Sequence, residues 1–394
     1  MKKVYLDYAA TTPLRPEVLK AMAPYWRKNF GNPSSIHLWG QEARKAVEQA
    51  REKVAQILNC LPEEIYFTGT TTTSDNLAIQ GVMRALKSQG KTHLITSAVE
   101  HHAVLDTCKA LKKEGFTLTI LPVDKYGMVN PDDLKKAITP KTGLITIMYA
   151  NNEVGTVEPI EEIAKKIQNS IRQLADKVQN VFFHTDAAAA AEYLPLDVKK
   201  LKVDLLTLGA HKFHGPKGVG ILYVKKGIPI SPLTFGGHHE AGLWPGTEAV
   251  PLIVGAAKAL EIAQKEKDQA AERVSKLRDK LIEGVLAKIP GSQLTGHPQK
   301  RLPDIASFVF EGVEGEAILL ALSDRGVAAS SGSACTSGIL EPSHVLTAME
   351  IPPELSHGSI RFSLGKEITS QDIDYVLEVL PEIISRLRKM APKL

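Results

Sequence analysis

Seven short, mostly apolar runs recur along the chain as far as Val224: Glu64–Thr68, Thr92–Ser97, Thr117–Val123, Gly143–Tyr149, Val181–Thr185, Asp204–Leu208 and Val219–Val224. Most do not alternate polar with apolar positions, which predicts parallel strands covered on both faces. Between several of them the spacing changes to that of helices. Ala43, Val47, Ala50, Val54, Ile57 and Leu58 fall every three or four residues on one face. Glu161–Val178 and Gly255–Ile289 repeat this spacing, and a further helix is expected over Asn76–Lys87. Such alternation predicts an α/β chain, a doubly wound sheet followed by a smaller α+β segment. The seam is expected at Val254–Ala263, on the long charged helix.

Composition narrows the class. Of 394 residues, 43% are hydrophobic and 23% charged, which excludes disordered, collagen-like and fibrous chains. The net charge of +4 comes from dispersed lysines, with no Arg-rich, aromatic-interleaved run, so no nucleic-acid partner is expected. Apolar stretches such as Leu144–Ala150 are too short to span a bilayer, and the start, Met1–Asp7, carries no readable signal peptide. Three widely spaced cysteines, Cys60, Cys108 and Cys335, suit neither a disulfide framework nor a zinc site. A cytoplasmic protein without a metal site or membrane partner is expected. Neither G-x-G-x-x-G nor G-x-x-x-x-G-K-[ST] occurs, which removes support for the usual nucleotide sites.

Four stretches remain as candidates for chemistry. Thr70-Thr71-Thr72-Thr73-Ser74-Asp75-Asn76 follows a strand and opens a helix, where free N–H groups, hydroxyls and the dipole suit a phosphate, although a plain N-cap also explains it. Asp186 ends an apolar run, where ligands gather in open parallel sheets; it could pair with a cationic nitrogen or cap the next helix. Lys212, in Gly209-Ala210-His211-Lys212-Phe213-His214-Gly215, also follows a strand, and a desolvated lysine there could attack a carbonyl. Cys335 lies in the small-residue loop Ser330–Gly338 and could act as a nucleophile, whereas Cys60 and Cys108 sit on helical repeats and read as packing residues.

Taken in order with Glu100-His101-His102 and Asn151-Asn152-Glu153, these elements resemble the class-V aminotransferases of fold type I, pyridoxal phosphate enzymes, and more narrowly the cysteine desulfurases. The resemblance runs from Tyr5-Leu6-Asp7-Tyr8-Ala9-Ala10-Thr11-Thr12-Pro13 and Gly31-Asn32-Pro33-Ser34-Ser35 to Ser331-Gly332-Ser333-Ala334-Cys335 and Ser359-Ile360-Arg361-Phe362-Ser363-Leu364-Gly365. It implies a mostly parallel seven-stranded sheet in a large domain (16–258), a small C-terminal domain (259–394) bearing the cysteine loop, and an N-terminal segment (1–15) packed with the small domain. Its implied roles are Lys212 for the cofactor aldehyde, Asp186 for the pyridinium nitrogen and His101 for the ring face. Thr71, Thr72 and His211 would bind the phosphate, with Thr247 supplied by the other subunit of a homodimer. Asn152 would touch both cofactor and substrate, Arg361 would hold the carboxylate of L-cysteine, and Cys335 would accept its sulfur. The sulfur would pass to an iron–sulfur scaffold or another acceptor protein.

Several positions depart from the family pattern. Thr73 stands for Glu, Ala189 for Gln, Gly209 for a phosphate-binding Ser, Ala241 and Trp244 for two arginines, and Ala249 for Asn. The resemblance therefore implies weaker cofactor retention, improved by Ser at 209 and Gln at 189. It also leaves room for a related C–S or C–Se lyase or aminotransferase, or for a non-catalytic binding protein on the same scaffold.

Overall fold

In a computed structural model, residues 2–173, 180–332 and 342–390 are described. All seven expected runs form strands of one sheet: β2 (Ile65–Thr68), β3 (His93–Ser97), β4 (Thr117–Leu121), β5 (Thr142–Thr146), β6 (Phe182–Asp186), β7 (Leu205–Gly209) and β8 (Gly220–Val224). Their order is β2-β8-β7-β6-β5-β3-β4. Only β8 runs against its neighbours, so β2 points the same way as β7.

Successive residues on each strand feed opposite cores, because side chains alternate across a pleat. Ile95, Ile145, Leu206 and Ile221 pack with helices Leu38–Leu58 and Ile160–Gln173 and the start of Val250–Lys288. Their neighbours Leu94, Leu144, Leu205 and Leu222 pack with Thr71–Leu86 and His102–Lys113. Both faces being covered explains why these runs do not alternate. The edge strand β4 is the exception: Thr117 is exposed and Leu118 and Thr119 only half-buried.

A second core lies towards the C-terminus. There β9 (Ser292–Leu294), β10 (Ile305–Phe310) and β12 (Ser359–Ser363) form an antiparallel sheet, with helix Ser370–Met390 packed into the same core. The N-terminal strand β1 (Val4–Tyr5) pairs with β11 (Val327–Ala328) and adds Val4, Leu6 and Tyr8 to it. Helix Val250–Lys288 runs through both cores, burying Ile253 and Leu260 in the first and Val274 and Leu281 in the second. The expected seam falls inside this helix.

One helix boundary corrects the expectation from sequence. The helix expected from Asn76 begins five residues earlier, at Thr71. Thr70 N–H donates to Thr73 Oγ1 (2.8 Å) and Thr73 N–H to Thr70 Oγ1 (3.1 Å), a reciprocal cap that offsets the poor helix propensity of a threonine run. Thr73 thus closes the cap of this helix with its own hydroxyl.

Candidate active site

Strands β2, β3, β5, β6 and β7 run in one direction, and the chain leaving their carboxyl ends carries Thr71, His101, Asn152, Asp186 and Lys212 in turn. That is where an open α/β sheet places its ligands. These five residues line one cavity of about 480 Å³, together with Thr72, His211, Ala189, Tyr8, Ser330 and Arg361. Of the sequence-derived site residues, Thr247 does not line it: it is exposed, beside Trp244 and Gly69 in a separate, smaller cleft. Cys335 lies outside the described residues.

Asp186 ends β6 and is buried; its Oδ1 accepts from Ala188 N–H (2.9 Å). Burial raises its pKa, while the Ala188 bond and the nearby His101 and Lys212 oppose that rise. The alanines that follow are small for a packing reason. Ala187, Ala190 and Ala191 are buried in the first core, and Gln264 donates to the carbonyls of Ala191 (2.8 Å) and Leu194 (2.9 Å).

Lys212 Nζ donates to the carbonyls of Ala9 (2.6 Å) and Ala10 (3.0 Å), so the N-terminal motif lies across the mouth of the lysine turn. His211 meets Thr11 Oγ1 through Nδ1 (3.2 Å). Burial, reinforced by Lys212 and Lys217, pushes its pKa down to about 4, so it is neutral near pH 7. His101 caps helix His102–Lys113, its Nδ1 accepting from Ala103 N–H (3.1 Å). That bond leaves Nε2 as the protonated nitrogen of the neutral ring. Burial lowers its pKa as well, against the pull of Asp186.

The Asn151-Asn152-Glu153 motif divides its labour. Asn151 is a buried turn-former: its Oδ1 accepts from Glu153 N–H (2.9 Å) and Val154 N–H (2.9 Å), and Nδ2 donates to Val99 O (2.9 Å). Asn152 faces the cavity, and its carbonyl accepts from Arg361 Nη1 (2.8 Å). Arg361 Nη2 pairs with Asp7 Oδ1 (3.0 Å), and its Nε is buried without a partner. Glu153, buried, accepts from Ser343 Oγ (2.5 Å).

Asp7, Glu153 and Asp75 carry no role that the sequence alone assigns. Asp7 and Glu153 lie inside recognisable motifs, but nothing local to either names its partner. Asp75 lines the cavity floor; its Oδ1 accepts from Thr207 (2.6 Å) and its Oδ2 has no partner. The signal available was an acid on the inward side of an otherwise apolar helix face.

Two of the departures lie in defined surroundings. Glu240, next to Ala241, is held by Arg51 through two bonds (2.8 and 2.9 Å) and accepts from Phe67 N–H (2.9 Å), which pins a turn with left-handed backbone at both residues. The expectation that Ser at 209 would restore the phosphate cup meets a steric condition, because Thr71 would have to turn to admit it. A Cβ on Gly209 would lie 2.0 Å from Thr71 Oγ1.

Four buried carboxyls make a pH prediction. Burial pushes Glu100 and Glu158 up to about 8 and Glu153 and Asp304 up to about 7. Each holds its proton more tightly when folded, so the stability it contributes is full below the ordinary carboxyl range and lost as pH rises through 7 to 8. His184 and His211, depressed to about 3 and 4, act oppositely, but only as pH falls below 6.5. Above pH 6.5 the carboxyls dominate this set. The melting temperature of the cofactor-free protein should therefore fall between pH 6.5 and 8.5, with Glu100 costing about 1–2 kcal/mol. Glu100→Gln should flatten that slope; a melting temperature that rises over this range would contradict the assignment.

A lysine and an acid beyond adjoining parallel strands, with a helix N-terminus facing the same cavity, define the fold and site of an aminotransferase-type enzyme. The chain belongs to the class-V aminotransferase family, whose model matches residues 4–376. It is 52% identical over 391 residues to the cysteine desulfurase IscS of Methanosarcina thermophila, covering 99% of this chain and 94% of that one. The IscS of Dictyoglomus turgidum is also 52% identical, with 99% and 97% covered. Among solved structures, a NifS-like protein superposes with a TM-score of 0.91 at 39% identity, covering 98% of this chain and 100% of the other. SspA in complex with cysteine gives 0.79 at 36% identity, covering 92% and 99%.

Proposed function

We propose that this chain is a pyridoxal phosphate-dependent cysteine desulfurase, converting L-cysteine to L-alanine and passing sulfane sulfur to Cys335. The observation that carries this reading is the convergence of Lys212, Asp186, His101, Arg361 and the Thr71–Leu86 helix start on one cavity. Names carried by relatives of 52% identity support it, as does the neighbour solved with cysteine.

The residues fit the cofactor. Thr71 Oγ1 is a buried hydroxyl without a partner at a helix N-terminus, suited to phosphate. Asp186, buried, suits a pyridinium nitrogen, and Lys212 reaches the space between. When bound, pyridoxal phosphate supplies an electron sink for negative charge at the substrate Cα. Lys212 would hold the aldehyde, Asp186 the ring nitrogen, His101 the ring face, and Thr71, Thr72 and His211 the phosphate. Asn152 would contact both cofactor and substrate, and Arg361 would orient the substrate carboxylate through its planar fork. Lys212 Nζ would be the base that takes the substrate Cα proton. At Cys335 the Cβ–S bond of cysteine breaks and an S–S bond forms, so that cysteine plus the enzyme thiol yields alanine plus an enzyme persulfide.

The other two thiols are poorly suited to that step. Cys108 is fully buried with its pKa raised, and burial pushes Cys60 up to about 12, so neither supplies thiolate near neutral pH. The reading includes a homodimer. Phe30, Ile36, Leu38 and Phe235 are large apolar side chains on the surface, Ile36 92% exposed and Phe235 86%. Such side chains suit burial against a second copy, which would also deliver its Thr247 to the phosphate. No helix among the described residues is long and apolar enough to cross a membrane. The reading assigns the enzyme to the cytoplasm, supplying sulfur to an iron–sulfur scaffold or another acceptor.

Incubation with L-cysteine under a reductant tests this. Alanine and sulfide should appear in equal amounts, and Cys335→Ser should abolish sulfide while leaving pyridoxal phosphate bound. Pyruvate with ammonia, or sulfide release from the folded Cys335→Ser protein at the wild-type rate, would overturn it.

A further inference from the structure

The backbone at Gly209 has φ −126° and ψ 117°, extended geometry open to any L-residue, so conformation gives no reason for glycine there. The reason is lateral. A Cβ at this position would meet Thr71 Oγ1 at 2.0 Å, while the next atoms, Thr71 Cβ at 3.4 Å and His211 Cδ2 at 3.7 Å, stand at ordinary contact distance. One hydroxyl therefore occupies the volume that a side chain at the end of β7 would take. That hydroxyl is buried, has no hydrogen-bond partner, and belongs to the first residue of helix Thr71–Leu86, which lines the cavity. A buried hydroxyl left unpaired costs stability unless a ligand completes it. First-turn N–H groups with no intrahelical acceptor and the positive end of the helix dipole favour an anion at the same place.

We infer that Thr71 Oγ1 replaces the hydroxyl missing from position 209 as a phosphate donor, and that Thr71 and Gly209 form a mutually exclusive pair. This rests on the pyridoxal phosphate reading above. The Thr71 side chain has three staggered orientations, which point hydroxyl, methyl or hydrogen at Gly209. Only the hydrogen leaves room for a Cβ there, and adopting it swings the hydroxyl away from its present place. A serine at 209 thus does not add a donor to an intact cup. It displaces the donor already present, and the crowding is relieved only when one of the two positions is small.

The test measures binding of pyridoxal phosphate to cofactor-free protein by equilibrium ultrafiltration, with unphosphorylated pyridoxal as the control ligand. Thr71→Ala should weaken pyridoxal phosphate binding about tenfold to a hundredfold, the range for a hydrogen bond to a charged group. Gly209→Ser alone should weaken it too, and the double variant Thr71→Ala/Gly209→Ser should return to within about threefold of wild type. Pyridoxal binding should change little in the Thr71→Ala variant, because the lost donor serves the phosphate. If the serine variant folds poorly, Gly209→Ala adds the Cβ alone: it should weaken binding, and combined with Thr71→Ala the loss should be no greater than that of Thr71→Ala by itself. Tighter binding by Gly209→Ser, or losses that add in the double variant, would overturn the pairing while leaving the cofactor assignment in place. Wild-type protein that fails to bind pyridoxal phosphate would overturn both.

Discussion

Lys212→Ala should abolish covalent retention of pyridoxal phosphate and lower alanine formation from cysteine at least about 10³-fold, since one amine serves as both anchor and base. Borohydride reduction followed by peptide mass spectrometry reads the first effect directly: wild type should carry the cofactor's mass on the Lys212 peptide. Lys212→Arg should fail equally, although it keeps a cation near the Ala9 and Ala10 carbonyls, because a guanidinium is not a nucleophile at neutral pH. The arginine variant thereby separates loss of chemistry from loss of the contact that ties the N-terminal motif to the lysine turn. Cofactor mass on another peptide of wild type, with Lys212 unmodified, would show that the anchor is misassigned.

Arg361→Lys should raise KM for L-cysteine about tenfold to a hundredfold with a smaller change in kcat, because an ammonium cannot reproduce a planar two-point grip on a carboxylate. Arg361 is only 6% exposed and is aimed by two fixed partners, Asp7 Oδ1 and the Asn152 carbonyl, which hold its terminal nitrogens while Nε remains unpaired. Asp7→Asn should give a milder KM increase, since an amide oxygen still accepts from the guanidinium but no longer pairs with its charge. Arg361→Ala should cost stability as well, leaving Asp7 without its partner. A Lys variant with unchanged KM would mean that the substrate carboxylate is held elsewhere.

Much of this protein is legible in its sequence. Seven apolar runs become seven strands, because a strand buried on both faces must be apolar at nearly every position. Lys212 and Asp186 stand just beyond strand ends, and that placement along the chain is enough to mark them as candidates. Local requirements of this kind are written in neighbouring residues: which side chains must leave water, which turn needs glycine, which hydroxyl caps a helix. The edge position of β4 and the reversed direction of β8 are not written that way. The first depends on strand order and the second on which neighbours β8 pairs with.

The same division runs through the site. That Arg361 suits a carboxylate follows from the residue itself; that Asp7, 354 positions away, aims it is decided only when β12 is brought beside the N-terminal segment. That Gly209 lacks a hydroxyl is plain from the sequence, and on that basis alone serine looks like a repair. Tertiary structure makes the same serine an obstruction, by placing Thr71 Oγ1 in the space a Cβ would need. The sequence determined which groups are available to the cavity, because chemistry belongs to residue types. Only the fold decided which of them share a volume, because two side chains from distant segments exclude one another by distance, and distance is set by topology.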